Sequence, residues 1–461
     1  MSASGVQEQW SSRMAFMFAA VGSAVGLGNI WRFPYMAGEN GGAAFVLVYI
    51  GFVALIGFPV LLAELTVGRR GGGSPMASLI KLARESGKSE KWAWLGHLGA
   101  FGGGLGLLSF YSVIAGWVMA YIVKAATATF AGVDAAGAAE MMNSFEASPG
   151  VMTFWHLAFI GLTVYIVGRG IKSGLEKAVI YLMPMLFLIL LVLVGYAMVA
   201  GEFAKAVSFL FTPDFSKING NVALAAMGQA FFSLSVTVGT MIIYGAYLPK
   251  NINLTQSAAM IVVADTGVAL IAGLAIFPLV FAYGLSPDSG PTLIFITLPI
   301  AFGQMPGGAI VGSLFFILLT IAAITSSISL LEPAVSYFVD KLNMNRWRAA
   351  IMGGGIAFTV GLLTVFSSNE WKDLLPLSFL GLDTIGGVPA NFGKIIDFTV
   401  SNLIMPIGGL LLAIFVGWIV SRDSLRDELA LPEGGIFEIW HVLIKFLVPI
   451  ALVVVLVAGL S

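Results

Sequence analysis

Apolar residues run through this chain in long, closely spaced blocks, and polar residues collect between the blocks rather than inside them. At 1.5 Å rise per residue a helix needs about 20 such residues to cross a bilayer. About eleven blocks of spanning length follow one another. They run approximately Met14–Ala37, Gly42–Val67, Trp92–Val123, Phe154–Val167, Ala178–Ala200, Val222–Tyr247, Ser257–Tyr283, Ala309–Phe338, Ala349–Phe366, Phe398–Ile419 and Val442–Leu460. The stretch Thr292–Phe302 is apolar but short and flanked by proline, so it is expected to cap the outer side or re-enter rather than span. The pattern predicts an all-α polytopic membrane protein.

Two blocks break their own pattern. Between Ala19 and Tyr35 the first reads AAVGSAVGLGNIWRFPY, crowding Gly22, Gly26 and Gly28 ahead of Asn29, Arg32 and Pro34. Freed peptide groups at membrane depth are tolerated only where they are buried in protein or line a cavity. A deliberate interruption that presents bare peptide groups to an ion or solute is expected there. The sixth block carries a milder version at Gln229–Gly239, QAFFSLSVTVG, which small-residue packing between helices would also explain. Position argues for a second break, since these two segments lie five spans apart. That spacing fits two five-helix units of opposite topology whose interrupted helices meet at mid-membrane.

Composition agrees, with hydrophobic residues at 58%, charged residues at 10% and a mean hydropathy of +0.96, a balance that places the chain in a membrane. A net charge of −1 argues against a general attraction to nucleic acid. Cysteine is absent, which excludes disulfides and thiolate metal sites. Basic residues fall in alternate loops: Arg69, Arg70, Lys81, Arg84, Lys88 and Lys91; Arg169, Lys172 and Lys177; Lys341, Arg346 and Arg348; Arg422 and Arg426. Phe130–Met152 and Leu285–Gln304 have none. By the positive-inside rule the N-terminus is cytoplasmic, and an odd number of spans puts Ser461 outside. The first block follows a polar start without a small-residue cleavage site and reads as a retained span of an inner (plasma) membrane protein.

Ionisable or hydroxyl groups inside the blocks are functional candidates. Asp265 lies roughly 13 Å into the seventh span, with no base nearby in its own segment. A bound cation is the simplest partner, and a protonated carboxyl in a proton-coupled carrier is the rival. Thr325, Ser326 and Ser327 form a hydroxyl run in the eighth span. Such groups usually bond back to their own helix, yet neutral hard oxygens also suit weakly held sodium. Gly102, Gly103, Gly104, Gly106, Gly408 and Gly409 read as close-packing points. No phosphate-binding loop occurs, and His97, His156 and His441 have no metal spacing.

The run GSAVGLGNIWRFPY, the ENGG at Glu39–Gly42, Gly68–Arg69, RGIKSGLEK at Arg169–Lys177, QAFFSLS at Gln229–Ser235 and the TSS at Thr325–Ser327 closely resemble the neurotransmitter:sodium symporters. The likeness is nearest to the bacterial LeuT-like and MhsT-like amino-acid transporters, and its motifs come in family order along nearly the whole chain. It implies the 5+5 inverted repeat with broken helices 1 and 6, for which this family is the type case. The repeats would cover residues 1–200 and 201–421, with 422–461 forming a cytoplasmic loop and an extra eleventh helix.

The resemblance also implies site residues. One sodium would be held by the carbonyl of Ala24 with Asn29, Ser233 and Asp265, and completed by the substrate carboxylate. A second would lie among the carbonyls of Gly22, Val25 and Ala322 and the hydroxyls of Thr325 and Ser326. The amides of Leu27 and Gly28 and the hydroxyl of Tyr111 would hold an amino acid's carboxylate, and carbonyls of Ala24, Phe232 and Ser233 its ammonium. Exposed amides favour an anion and exposed carbonyls a cation, consistent with this division. Glycine at position 26, where amine transporters place an aspartate, implies an α-amino acid. Leu107, Phe232, Ser235, Val238, Ser326 and Leu330 would select its side chain, a mainly apolar set that implies a substrate from leucine size up to aromatic. Thr237, where glycine occurs in LeuT, is expected to resist unwinding of the sixth helix. Arg32 and Asp397 match an external ion pair, and Trp10, Tyr247 and Asp340 an inner gate whose usual N-terminal arginine is replaced by Gln7. Gly174 and Pro184 match a pair linked to loosening of helix 5, through which water would reach the second sodium.

The reading is a sodium-coupled symporter of a hydrophobic L-amino acid, with two sodium ions, no chloride requirement and no covalent chemistry. Its partners are the small-molecule substrate and the lipid bilayer. A proton-coupled symporter using Asp265, and a channel or structural membrane protein, are the alternatives.

Overall fold

The computed structural model describes residues 9–429 and 435–460 of the chain. Gln7 and Ser461, which carry expectations above, lie outside the described residues. Among the described residues nine helices are long and apolar enough to cross a membrane: Ala43–Gly71, Glu90–Ala126, Pro149–Gly168, Ile171–Ala200, Leu254–Ala282, Gly308–Leu342, Arg346–Ser367, Phe392–Ile419 and Ile436–Leu460. They form the second to fifth and seventh to eleventh spans. The first consists of Arg13–Ala24 and Gly28–Glu39, bent by 48° where they meet. The sixth is in two pieces, Gly220–Ser233 and Thr240–Ala246. All eleven predicted blocks therefore form. Thr292–Phe302 folds as a 3-10 turn at Gly290–Leu293 and a short helix at Thr297–Gln304, not as a span.

Local chemistry sets the ends. The first helix starts where the Ser12 hydroxyl accepts the Ala15 N–H at 3.1 Å. It stops at Val25, whose ψ of 98° leaves the helical region. The chain re-enters helix through a π turn at Gly28–Arg32. That turn runs straight on into the helix Phe33–Glu39, with Pro34 just past it. In the sixth span Ser235 and Thr237 adopt φ of 49° and 74°, ahead of Gly239 at 81°. A β-branched residue in that region is a genuine outlier, costing about 1–3 kcal/mol. Thr237 thus does not prevent unwinding, contrary to expectation. Its N–H is held at 2.7 Å by the buried carboxylate of Glu64 in the second span, an anchor that offsets the strain.

The eighth span is the core of the bundle, with 83% of its apolar window buried, whereas the eleventh, at 22%, lies at the edge. Lipid supplies no hydrophobic drive between helices, so close packing of small residues must hold them. The stretch from Ala322 to Ser329 supplies those residues and faces the break in the first span. The loops rich in Lys and Arg define one face of the molecule, the basic face. Four short helices at Pro75–Glu85, Ala135–Glu146, Phe203–Phe211 and Arg422–Leu429 lie between spans.

Candidate functional site

The two breaks meet, and the seventh and eighth spans close around them. In the first break the Ser326 hydroxyl faces three carbonyls that the interrupted helix leaves without regular partners: Gly22 at 3.4 Å, Ser23 at 3.2 Å and Val25 at 3.5 Å. The Thr325 hydroxyl bonds back to Ala322 at 3.0 Å and Ile321 at 3.2 Å. A Cβ on Gly22 would lie 3.2 Å from Cβ of Thr325, so these two touch. Gly22, Val25, Ala322, Thr325 and Ser326 thereby lie close together, each bearing a neutral oxygen. Ser23, absent from the sequence expectation, lies among them too, its carbonyl also accepting the Ser235 hydroxyl at 2.9 Å.

A second cluster sits beside it around Asp265, fully buried. The Asn29 amide donates to the Asp265 carboxylate at 2.7 Å, to its carbonyl at 3.0 Å and to the Ser233 hydroxyl at 3.1 Å. Ser233 donates to the other carboxylate oxygen at 2.6 Å, and Tyr49 reaches Ser233 at 3.2 Å and Asp265 at 3.4 Å. The Asn29 oxygen accepts the Gly26 N–H at 3.1 Å. The structure thus unites Asn29, Ser233 and Asp265 from three separate spans, with Ala24 on the adjoining turn.

Between the clusters the Leu27 N–H points at the Tyr111 hydroxyl, 3.4 Å away. A Cβ on Gly26 would stand 2.4 Å from the Ser326 hydroxyl oxygen and 3.2 Å from that of Tyr111. Gly26 therefore faces both, and a side chain there would have to displace the Ser326 hydroxyl. Phe232 lies against Gly28, within 3.1 Å of a Cβ built there. Leu107, Val238 and Leu330 are buried, with Val238 against Gly103 and the Leu330 carbonyl against Gly104. Beyond Phe232, on the side away from the basic face, a cavity of about 240 Å³ is lined by Arg32, Phe232, Thr237, Ser401 and Met405 among others.

The gates differ from expectation. Arg32 and Asp397 form no ion pair among the described residues. Arg32 instead lies over the Phe232 ring at 4.5 Å, while Asp397 takes partners from its own helix, the Ser401 hydroxyl at 3.1 Å and Lys394 at 3.9 Å. At the basic face Trp10 and Tyr247 do meet: the Trp10 N–H donates to the Tyr247 carbonyl and its indole to the Tyr244 carbonyl, each at 3.2 Å. Asp340 is not the carboxylate that Tyr247 binds; it accepts the Ser74 N–H at 3.1 Å. The Tyr247 hydroxyl donates to Glu332 at 2.8 Å, and Arg346 grips the other oxygen of Glu332 at 2.5 Å. Arg13 bonds Gln256 at 2.9 Å, so it does not stand in at Asp340. Gly174 packs onto the Ile166 carbonyl within a π turn at Ile171–Glu176, and Pro184 stands inside the helix Lys177–Ala200.

Sequence reasoning passed over Tyr49, Glu64, Gln229 and Glu332. Glu64 and Glu332 are carboxylates within apolar blocks, the very signal that singled out Asp265. Gln229 donates to the Gly28 carbonyl at 2.8 Å and ties the two breaks together.

Interrupted helices that meet over a buried carboxylate and a shell of carbonyls define a class, the secondary carriers that hold solute and ion at mid-membrane. The chain belongs to the sodium:neurotransmitter symporter family, whose model matches residues 7–136 and 137–460. It is similar to the uncharacterized sodium-dependent transporter YhdH of Bacillus subtilis, 37% identical over 450 residues that cover 97% of this chain and 96% of that one. An uncharacterized sodium-dependent transporter of Haemophilus influenzae is 33% identical, covering 98% of each. Among solved structures the fold matches MhsT in complex with L-phenylalanine, with a TM-score of 0.86, 42% identity and coverage of 98% of this chain and 99% of that chain. The protein is a sodium-dependent symporter of the LeuT fold, a multi-pass membrane protein and not an enzyme.

Proposed function

We propose that this symporter couples the uptake of a hydrophobic α-amino acid, from leucine size to aromatic, to two sodium ions without a chloride requirement. The observation that carries the reading is the convergence of Asn29, Ser233 and Asp265 beside the exposed carbonyls of the first break, 2.6–3.1 Å apart through their hydrogen bonds. The first sodium is assigned to this group with the Ala24 carbonyl. The second is assigned to Gly22, Val25, Ala322, Thr325 and Ser326. The substrate carboxylate goes to the Leu27 and Gly28 amides and Tyr111, where Gly26 leaves room for it, and the side chain to the apolar wall of Leu107, Phe232, Val238 and Leu330 with Ser235 and Ser326. A charged side chain in that wall would be buried without a partner. The phenylalanine bound by MhsT supports the substrate class.

Asp265 supplies a fixed negative charge at the first ion, so no anion needs to be recruited there. Its carboxylate is met by donors from Asn29, Ser233 and Tyr49, an arrangement suited to an anion that meets a cation rather than to a proton carrier. The basic face is assigned to the cytoplasm. The chain divides into repeats at 1–200 and 201–421 followed by the eleventh helix. Substrate carboxylate and sodium become mutual ligands, so each raises the other's affinity by the same factor. Uptake of labelled amino acids by proteoliposomes, with and without a sodium gradient, tests this. Leucine and aromatic residues should be taken up only with the gradient. Uptake driven by a pH gradient alone, competition by lysine as strong as by tryptophan, or loss of uptake in gluconate would each overturn its part of the proposal.

A further inference from the structure

The half of the sixth span away from the basic face, Gly220–Ser233, ends at the break, so no helical continuation steadies it there. One of its sides is tied to the first span through Gln229 and the Gly28 carbonyl. On another, Gly220, Ala223, Leu224 and Met227 form a single stripe at spacings of three, four and seven residues. That stripe is one wall of a groove of about 500 Å³. Its other walls include Leu55 and Ile56 of the second span and Ile450 and Ala451 of the eleventh.

Every residue of the lining is apolar or glycine, so the groove offers nothing to water, an ion or a charged solute. Its rim opens to the bilayer, where Leu55 and Ile450 are 49% and 63% exposed on membrane-crossing helices. Its floor, at Ile56, Met227 and Ala451, is buried. Left empty, such a floor would forfeit dispersion contacts along its length. The stripe on the sixth span runs about 10 Å at helical rise. The volume is several times the roughly 150 Å³ in which an apolar cavity takes up benzene. Length, volume and chemistry suit a run of methylenes from one lipid chain, supplied by the solvent in which these spans already stand.

We propose that an acyl chain of a lipid in the leaflet away from the basic face lodges in this groove and braces Gly220–Ser233 from behind. Leu224 lines both the groove and the cavity beyond Phe232, so one side chain there separates bilayer from cavity. The lodged chain backs that wall. With it in place Leu224 has no room to retreat; without it the half-helix is free to move toward the second and eleventh spans. Lipid thereby acts on the cavity without entering it, whatever the cargo.

The full chain is reconstituted with a phosphatidylcholine bearing a photoreactive diazirine in one acyl chain, and adducts are mapped after irradiation. Labelling of Ile56, Met227 and Ala451 should exceed that of Leu188, an open position on the fifth span, by about fivefold, the scale of packing contacts within a bilayer. Ala223→Phe fills the groove from its half-exposed wall and should cut floor labelling about threefold or more, with Leu188 unchanged. Gly220→Leu, at an exposed position whose Cβ would meet nothing within 4 Å, should do the same and keeps the test standing if the first variant fails to fold. Phospholipid added back to detergent-purified protein should raise the melting temperature saturably, while Ala223→Phe starts higher and gains less. Floor labelling no greater than that of Leu188, or lowered by neither variant, overturns the site. Parent and Ala223→Phe melting curves that respond alike to lipid overturn the bracing. Floor labelling that appears only on dilution of the protein into excess lipid reveals a second copy in the groove and overturns lipid as its occupant.

Discussion

Gly26→Ala is a sharp test of the site, because its consequence can be worked from two distances. The new methyl carbon would lie 2.4 Å from the Ser326 oxygen and 3.2 Å from the Tyr111 oxygen. An ordinary carbon–oxygen contact is about 3.3 Å, so the Ser326 hydroxyl must swing away by about 1 Å. It now faces the carbonyls of Gly22, Ser23 and Val25 at 3.2–3.5 Å, and the swing takes it out of that shell. Losing one oxygen beside a charge costs about 1.5–3 kcal/mol, or about 10- to 150-fold in sodium affinity. The assay is a sodium titration of labelled-substrate binding to the purified transporter. Ser326→Ala alone should cost a similar factor. With the hydroxyl gone, adding Gly26→Ala should cost no more than about threefold, since only the Tyr111 contact remains tight. Full additivity of the two losses, or an unchanged sodium affinity in Gly26→Ala, refutes the placement of Ser326 between ion and substrate.

Arg346→Ala takes the guanidinium away from the buried Glu332 carboxylate and should cost about 3–5 kcal/mol in thermal or denaturant unfolding, with most of the loss recovered in the Glu332→Gln, Arg346→Met pair. Glu64→Gln keeps an oxygen for the Thr237 N–H and should be nearly neutral, whereas Glu64→Ala orphans that donor, at about 1–3 kcal/mol, and should lower substrate affinity as well as melting temperature. Glu146, in the helix between the third and fourth spans, has its pKa raised above the ordinary 4.5 by burial. The folded state thus binds that proton more tightly than the unfolded chain, so its stabilising contribution is complete at low pH and is lost as pH rises through the folded pKa. Glu146→Gln should flatten the fall in stability as pH rises above the ordinary 4.5; a slope unchanged by the substitution counts against this.

How much could be read from the chain depended on whether the signal was local. Spans were legible because twenty apolar residues in a row have few other uses, and the first break because glycines, an amide and a proline crowd one turn. The sixth break was harder. Ser235 and Thr237 are not residues that prefer positive φ, and partners from other spans hold them there, the Ser23 carbonyl for the Ser235 hydroxyl and the Glu64 carboxylate for the Thr237 N–H. Asp265 stood out by depth alone, and Glu64 and Glu332 would have done so under the same rule. The partner choices of the gates were not legible. Asp397 has a lysine and a serine within one turn of its own helix, and Glu332 competes with Asp340 for Tyr247. Such contests are decided by distances of a few tenths of an ångström, on which residue type is silent.

The ring of hydrogen bonds through Asn29, Ser233, Tyr49 and Asp265 bears on the half of the cycle in which no cargo moves. Every member already has a partner within the protein, so under the sodium assignment proposed above the buried carboxylate would keep its donors once the ion had left. Four spans stay stitched together through that ring. A carrier whose cage closes on itself can make its return journey without a passenger, and each inward trip can be followed by another.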